Sequence, residues 1–251
     1  VYNDVYKNLL KVKNGKVIYN KRPKNLYNYL LKKLAPHRFD NICGAVQKLV
    51  EDISIKILSQ LHRKYKFKFF AISGGVSMNI KMNKILSELQ FVKKIYVSPT
   101  GSDESLSIGA CYHLAKNESK SLKNIYLGQT LLKENLKPLN QIKKIFPKSV
   151  YSIKENVKSS EIANLIKNNQ IIAIANGREE FGSRALGNRS IIANPSNPEV
   201  VKIINEMIKN RDFWMPFALS ILDEQHKKFL INKKNIQSEY MTIGFDTNAN
   251  N

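Results

Sequence analysis

Four of the seven arginines in this chain fall within one window, residues 176–217. Elsewhere the chain overwhelmingly uses lysine for positive charge. A guanidinium is planar and always charged, and it grips two oxygens of a phosphate or carboxylate, which an ammonium does not do. Glycines in the same window let a backbone and a ligand approach closely. The window therefore predicts an anion-handling enzyme site. Its arginines are Arg178, Arg184, Arg189 and Arg211.

Two cations, one of them an arginine of this window, stand where a predicted helix ends. Lys209 and Arg211 close the helix expected over 198–210, which has Pro198 in its first turn. Cations at that position also complement the helix dipole, and this is the alternative to a ligand role. The dipole does not account for Arg184 and Arg189, which lie in a glycine-rich loop.

A second candidate site lies in the first half of the chain. The sequence SGGVSMN (73–79) places Gly74 and Gly75 between a predicted buried strand and a helix, where backbone can approach a phosphate or a ribose. Asn79 stands at the helix start and is expected to cap the helix or to bind a nucleotide. An ordinary tight turn is the alternative, because a lone glycine pair is a weak signal.

A lone acidic residue follows in the loop PTGSDES (99–105). Asp103 is suited to capping the next helix or to ligating a metal, and capping is the commoner role. The histidines are isolated, and no Ser/His/Asp or HxxxH arrangement appears. They are therefore expected to be structural or surface residues.

The predicted elements alternate in an α/β rhythm. The predicted helices are 40–62, 79–89, 105–115, 159–169 and 198–210. The predicted strands are 67–72, 93–98, 171–175, 190–194, 217–222 (FALSIL) and 240–245 (YMTIGF). The apolar run at 171–175 is expected to be a central strand. A polar stretch at 117–140 predicts a domain boundary.

Bulk composition excludes some classes of protein. The net charge of +21 comes from lysines spread along the chain, so solvated lysine faces are expected and no nucleic-acid partner. No apolar run approaches the roughly 20 residues of a membrane span. Cys43 and Cys111 lack metal-like spacing, which predicts buried free thiols in a cytoplasmic protein. The first residue is Val1 and the chain ends soon after a predicted strand, so both ends are expected to be cut from a longer protein.

These segments together resemble the O-carbamoyltransferase family of the NodU, CmcH and TobZ type. The arginine motif GREEFGSRALGNRSI (177–191) carries the resemblance most specifically, followed by Lys209, Arg211 and MPFAL (215–219). Supporting segments are SGGVSMN, PTGSDESLSIGAC (99–111), GAVQKLVE with Gln47 and Glu51, and the YLG at 126–128.

The resemblance implies an α/β architecture of two domains. Residues 1–125 would form the C-terminal half of an actin/hexokinase-like ATPase-type domain. Residues 126–150 would be a linker, and residues 151–251 a YrdC-like domain whose C-terminus is truncated. The first domain would be incomplete, because the family's HxxxH metal ligands and catalytic histidine belong to an N-terminal half.

The resemblance also implies a reaction. The YrdC-like domain would make carbamoyl-adenylate from carbamoyl phosphate and ATP, and the first domain would transfer the carbamoyl group to a hydroxyl of a sugar or natural product. It implies ATP as a substrate and a divalent metal such as Fe or Mg, and it leaves room for a homodimer.

The motif assigns roles to individual residues. The resemblance implies that the catalytic residues are Arg184, Arg189, Lys209 and Arg211. It implies that carbamoyl phosphate and ATP are bound by Arg178, Asn188 and Ser190. The adenylate would be bound by Gly74, Gly75 and Asn79, and a metal by Asp103.

Four residues depart from the family pattern: Ser105 replaces a glycine, Ser183 replaces a proline, and Met215 and Leu219 replace the Arg and Pro of RPFAP. The lost Arg weakens one possible phosphate contact. Two alternatives stay open. One is a tRNA threonylcarbamoylation-type enzyme, and the other is an inactive basic binding module.

Overall fold

A computed structural model of the chain describes residues 1–116, 120–130, 141, 144–145 and 151–248. Its strands are β1 (Leu10–Lys13), β2 (Lys16–Tyr19), β3 (Phe69–Ile72), β4 (Lys94–Val97), β5 (Ile172–Ala175), β6 (Arg189–Ile192), β7 (Leu230–Ile231) and β8 (Asp246–Thr247). Its α-helices are α1 (Leu26–Leu34), α2 (Phe39–Tyr65), α3 (Ile80–Glu88), α4 (Ser105–Ala115), α5 (Ser159–Lys167), α6 (Glu199–Lys202) and α7 (His226–Phe229). Short helical turns of other pitch are Tyr2–Tyr6, Gly75–Met78, Ile203–Ile208 and Asp223–Gln225.

The chain forms two compact units. Unit 1 comprises residues 1–109 and 225–251, and unit 2 comprises residues 110–224. In unit 1, β3 and β4 are parallel, with Phe69 opposite Lys94 and Ile72 opposite Val97. Parallel strands end at the same edge of a sheet, so the segments that follow β3 and β4 meet there.

The main apolar core of unit 1 lies between α2, α3 and the β3–β4 sheet. Its buried members are Leu58, Met82, Leu86, Val92, Ile95, Val97, Ile236 and Ile243. Removing these side chains from water favours folding by about 25 cal/mol for each Å² of apolar surface. A smaller cluster of Val5, Tyr6, Leu9 and Ala45 anchors the N-terminal turn to α2.

Unit 2 is built around an antiparallel hairpin. β5 pairs with β6, with Ile172 opposite Ile192 and Ala175 opposite Arg189. Phe181 N donates to Ile125 O at 2.7 Å, and Gly128 N donates to Glu179 O at 3.0 Å. The segment 125–130 therefore lies beside the connection between the two strands.

The mixed α/β class is confirmed, and several predicted elements are present. α2, α3, α4 and α5 lie within a few residues of their predicted bounds. The helix expected over 198–210 starts after Pro198 as α6 and continues as the wider turn Ile203–Ile208. The ATPase-like and YrdC-like assignments stay predictions.

Three predicted strand features are wrong. The run 171–175 is not a central strand, since within the described residues β5 belongs to a two-stranded sheet. The FALSIL segment forms no strand; Leu219 and Leu222 are exposed. YMTIGF is interrupted at Met241, whose φ of 55° is incompatible with extended backbone. The spacing of apolar residues indicates an apolar surface. It does not show whether a neighbouring strand is present to form the hydrogen bonds of a sheet.

The predicted burial of the two thiols is also wrong. Cys43 and Cys111 are free and exposed on helices α2 and α4. No helix in the described ranges is both long enough and apolar enough to cross a membrane. The domain boundaries at 125 and 150 stay a prediction. Most of the expected linker, residues 131–140, 142–143 and 146–150, lies outside the described residues.

Candidate functional site

The arginine motif forms the connection between β5 and β6. Arg178 follows β5 and makes an isolated antiparallel bridge with Thr130. Its guanidinium donates from Nε to Gly128 O at 3.0 Å and from Nη2 to Leu127 O at 2.9 Å. These two bonds fasten the loop to the YLG segment at 126–128.

Arg189 begins β6 and closes the loop from the other side. Its Nη1 donates to Asn176 O at 2.9 Å and to Asn188 O at 2.8 Å. Its Nε lies 3.4 Å from Glu179 Oε1, in an ion pair that is partly exposed to solvent. The Arg189 guanidinium therefore ties both ends of the loop together while remaining accessible at its edge.

The carboxylate of Glu180 sits inside the loop. Its Oε1 accepts hydrogen bonds from the backbone N–H groups of Leu186 at 2.8 Å, Asn188 at 2.7 Å and Arg189 at 3.2 Å. Burial favours a raised pKa, but backbone N–H donors, including its own, outweigh burial and lower the pKa of Glu180. The carboxylate is therefore held in its charged form.

The two polar neighbours of Arg189 also support the loop. Ser190 Oγ accepts from Gly187 N at 2.9 Å, which leaves the hydroxyl proton to be donated elsewhere. Asn188 Nδ2 donates to Arg178 O at 2.7 Å, and Tyr126 donates from its hydroxyl to Leu186 O at 2.9 Å. Asn188 and Ser190 thus shape the loop, whatever ligand they contact.

Arg211 belongs to a separate hydrogen-bonded group at the end of the Ile203–Ile208 turn. Its Nε donates to Asn205 Oδ1 at 2.6 Å, and its guanidinium carbon lies 4.7 Å from the centre of the Phe217 ring. Asn205 is completely buried and donates from Nδ2 to the carbonyls of Phe213 and Met215. Arg211 is therefore fixed in place by a buried amide and an aromatic face.

The predicted ligand-binding residues of unit 2 thus fall into two groups. Arg178, Asn188, Arg189 and Ser190 share one network of hydrogen bonds within the loop and its flanking segment. Arg184 is half-buried in the same loop, whereas Lys209 is exposed. The described hydrogen bonds of the Arg211 side chain stay within residues 205–211.

The glycine turn of unit 1 stands at the carboxyl end of β3. Gly74 has a φ of +98°, a conformation that side-chain-bearing residues rarely adopt. A Cβ on Gly101, in the loop after β4, would lie 2.5 Å from Ser77 Oγ and 3.0 Å from Gly74 O. The two loops thus touch backbone to backbone, as expected of loops at one edge of a parallel sheet.

Asn79 links this turn to helix α2. Its Oδ1 accepts from Met82 N at 3.0 Å, so the predicted cap is present. Its amide also exchanges two hydrogen bonds with the amide of Gln47, at 2.8 and 3.2 Å. Gln47 in turn donates to Glu51 Oε1 at 2.9 Å. This chain of contacts joins two segments, SGGVSMN and GAVQKLVE, that are 22 residues apart in the sequence.

The described part of the chain holds no cluster of residues that would form a metal centre by itself. Asp103 is exposed in the loop before α4. Among the described residues, no three His, Cys, Asp or Glu side chains are grouped to hold an ion. A divalent metal normally needs several such ligands, so Asp103 would require ligands from elsewhere to hold one.

Sequence reasoning did not identify Glu180 as the acceptor of backbone N–H groups within the loop, nor Tyr126 and Gln47 as partners of the predicted site residues. Glu180 carried a signal, since a carboxylate between glycines and arginines is suited to accept loop N–H bonds. Tyr126 and Gln47 carried none in their spacing, because each contacts a residue at least 32 positions away.

Two family sequence patterns match this chain. The pattern described as "Carbamoyltransferase N-terminus" matches residues 2–112. The one described as "Carbamoyltransferase C-terminus" matches residues 163–251 and so includes the arginine motif.

Curated relatives agree with these matches. An uncharacterized protein of Methanocaldococcus jannaschii is 32% identical over 81% of this chain and 39% of its own length. Nodulation protein NolNO of Sinorhizobium fredii is 27% identical over 75% of this chain and 28% of its own length. Nodulation protein U of the same species is 32% identical over 61% of this chain and 26% of its own length. The chain therefore spans about a third of the length of the relatives it matches.

Proposed function

Because this chain belongs to the carbamoyltransferase family, we propose that it carries the carbamoyl-activating part of an ATP-dependent O-carbamoyltransferase. In this proposal, residues 151–251 are a YrdC-like domain. Residues 1–125 are the C-terminal half of an ATPase-like domain, and the complete enzyme works in the cytoplasm. The product is a carbamate ester on a hydroxyl of a sugar or small natural product.

The observation that most supports the proposal is the ordered arginine loop between β5 and β6. This loop lies in the region matched by the carbamoyltransferase C-terminus. It places guanidinium and hydroxyl groups within one short, hydrogen-bonded segment. Such a segment is suited to hold oxyanions in fixed positions, which is the main requirement for phosphoryl chemistry.

The chemistry has a defined balance. Carbamoyl phosphate, ATP and one water give carbamoyl-adenylate, pyrophosphate and phosphate. Water first cleaves the link between the carbamoyl group and its phosphate, which gives carbamate and phosphate. A carbamate oxygen then forms a bond to the α-phosphorus of ATP, and the bond from this phosphorus to the oxygen shared with the β-phosphate breaks, releasing pyrophosphate. Both reactants carry several negative charges, so cations must hold them side by side.

Individual residues take distinct parts in this scheme. Arg184 and Arg189 bind phosphate oxygens of the two reactants, with Lys209 and Arg211 assisting. Ser190 donates its hydroxyl proton to one of these oxygens, and Asn188 supplies its amide. Arg178 contributes by holding the loop against the Leu127 and Gly128 carbonyls.

Unit 1 is proposed to receive the adenylate. Gly74 and Gly75 leave room for its phosphate at the carboxyl end of the β3–β4 sheet, and Asn79 orients the turn. Asp103 would be one ligand of a metal whose other ligands lie outside this chain. The carbamoyl group would pass to the acceptor hydroxyl with AMP as leaving group.

The first step is tested by pyrophosphate release from the 251-residue chain mixed with carbamoyl phosphate and ATP. We expect slow release that requires both substrates and falls at least tenfold in Arg189→Ala. Arg63→Ala is the matched control, because Arg63 lies at the end of α2 outside the loop.

Two outcomes would contradict the proposal. If pyrophosphate release and carbamoyl phosphate binding are both absent, the activation step does not belong to this chain. If the chain instead binds tRNA with a steep salt dependence, the threonylcarbamoylation alternative is favoured.

A further inference from the structure

The amide groups of the arginine loop converge on one oxygen. Glu180 Oε1 accepts from the backbone N–H groups of Leu186, Asn188 and Arg189 within 2.7–3.2 Å. Tyr126 also donates to Leu186 O, and Ser190 accepts from Gly187 N. Every residue from 186 to 189 therefore has at least one hydrogen bond to a side chain. No comparable anchor is needed by the strands themselves, which are held by their ladder.

The neighbouring carboxylate differs in its role. Glu179 is more than half exposed and meets the Arg189 side chain at 3.4 Å. A partly exposed ion pair at that distance contributes little to stability. Two adjacent glutamates of equal charge therefore contact Arg189 in different ways: Glu180 holds its backbone, and Glu179 touches its guanidinium.

We propose that Glu180 is a positioning residue for anion binding, holding the backbone of residues 186–189 in the shape that presents Arg189, Asn188 and Ser190 to carbamoyl phosphate. This inference rests on the proposed function, whose site it deepens. Glu180 does not touch the ligand, since its charge would repel an anion and its Oε1 is already engaged by three donors. It acts through the loop.

The first arm of the test measures loop order without any ligand. Amide hydrogen exchange of peptides covering 181–190 is compared among the wild-type chain, Glu180→Ala, Glu180→Gln and Glu179→Ala. We expect at least tenfold faster exchange at residues 186, 188 and 189 in Glu180→Ala. Glu180→Gln keeps one accepting oxygen and is expected to lie between wild type and Glu180→Ala. Glu179→Ala is expected to match wild type.

The second arm measures carbamoyl phosphate binding by calorimetry on the same four proteins. We expect Glu180→Ala to weaken binding about tenfold and Glu180→Gln to weaken it by no more than about threefold. Glu179→Ala is expected to bind as well as wild type or more tightly, since it frees the Arg189 guanidinium. Circular dichroism of each variant checks that the fold is retained.

The outcomes separate the inference from the proposed function. The inference is overturned if Glu180→Ala changes neither the amide exchange of the loop nor the binding of carbamoyl phosphate. It is also overturned if Glu180→Gln binds carbamoyl phosphate as weakly as Glu180→Ala while its loop exchanges at the wild-type rate. If the wild-type chain does not bind carbamoyl phosphate, the proposed function is overturned, and so is the part of the inference that concerns ligand binding. Faster loop exchange in Glu180→Ala would in that case still support the part that concerns loop order.

Discussion

Each of the two units is stabilised internally by a different kind of contact. Among the described residues, twelve buried apolar side chains belong to unit 1 and three, Ile125, Val200 and Ile204, belong to unit 2. The glycine turn of unit 1 lies beside an apolar core and is held by the amide pair of Gln47 and Asn79. The arginine loop of unit 2 is held by guanidinium groups and one carboxylate.

This difference teaches where each site draws its geometry from. Packing in unit 1 depends on shape and volume, which pH and salt hardly alter. The loop of unit 2 depends on charged groups, whose strength changes with protonation and ionic strength. The turn is therefore expected to be a fixed platform, and the loop a structure that responds to solution conditions.

The largest expected effect is a cavity in the core of unit 1. Leu86 is 1% exposed, and Leu86→Ala is expected to lower the free energy of unfolding by about 3 kcal/mol. Leu106→Ala, at an exposed position of α4, is the control and is expected to change it by less than about 0.5 kcal/mol. Urea unfolding measures both. Equal losses in the two variants would show that unit 1 does not depend on this core.

A smaller effect is expected from adding one methyl group where the two loops of unit 1 touch. Gly101→Ala places a Cβ against Ser77 Oγ and the Gly74 carbonyl, and should cost about 2 kcal/mol. Gly109→Ala is the matched control. Its Cβ meets open space within α4, so the helix should gain about 0.5 kcal/mol. A stable Gly101→Ala protein would mean that the turn is held less tightly than its packing indicates.

Acid should loosen the arginine loop before the glycine turn. The pKa of Glu180 is lowered below its ordinary value of 4.5, so its stabilisation is fully present above that pH and is lost as pH falls through the lower folded-state value. The Gln47–Asn79 amide pair does not titrate. Hydrogen exchange corrected for intrinsic rates should therefore show residues 186–189 losing protection first. Simultaneous loss in both regions would refute the comparison.

The smallest expected effect comes from one guanidinium group. Arg178→Lys keeps the charge but not the two-point grip on the Leu127 and Gly128 carbonyls, and should cost about 0.5–1 kcal/mol. Local exchange at Gly128 and Phe181 measures it, with Arg63→Lys as control. An unchanged rate would assign the pairing of the two segments to the backbone alone.

Much of the local structure was predictable. Apolar spacing predicted α2 and α3 because a helix buries one stripe, and the run after Ser105 predicted α4. The strand predicted at FALSIL does not form. In the sequence, Leu219 and Leu222 resemble the apolar face of a strand, but both side chains are exposed. Whether a strand forms depends on a partner elsewhere in the chain, and local composition does not contain that information.

The sequence by itself determined the family, the arginine-rich loop, and the glycine turn followed by a capped helix. Residue type and close spacing are sufficient for these features, since each involves neighbours along the chain. Only the tertiary structure decided which groups hold the site residues: Gln47 on Asn79, Tyr126 on Leu186, and Asn205 on Arg211. Most of these partners are distant in sequence, and folding joins them because polar groups that leave water must find hydrogen bonds wherever the chain brings them.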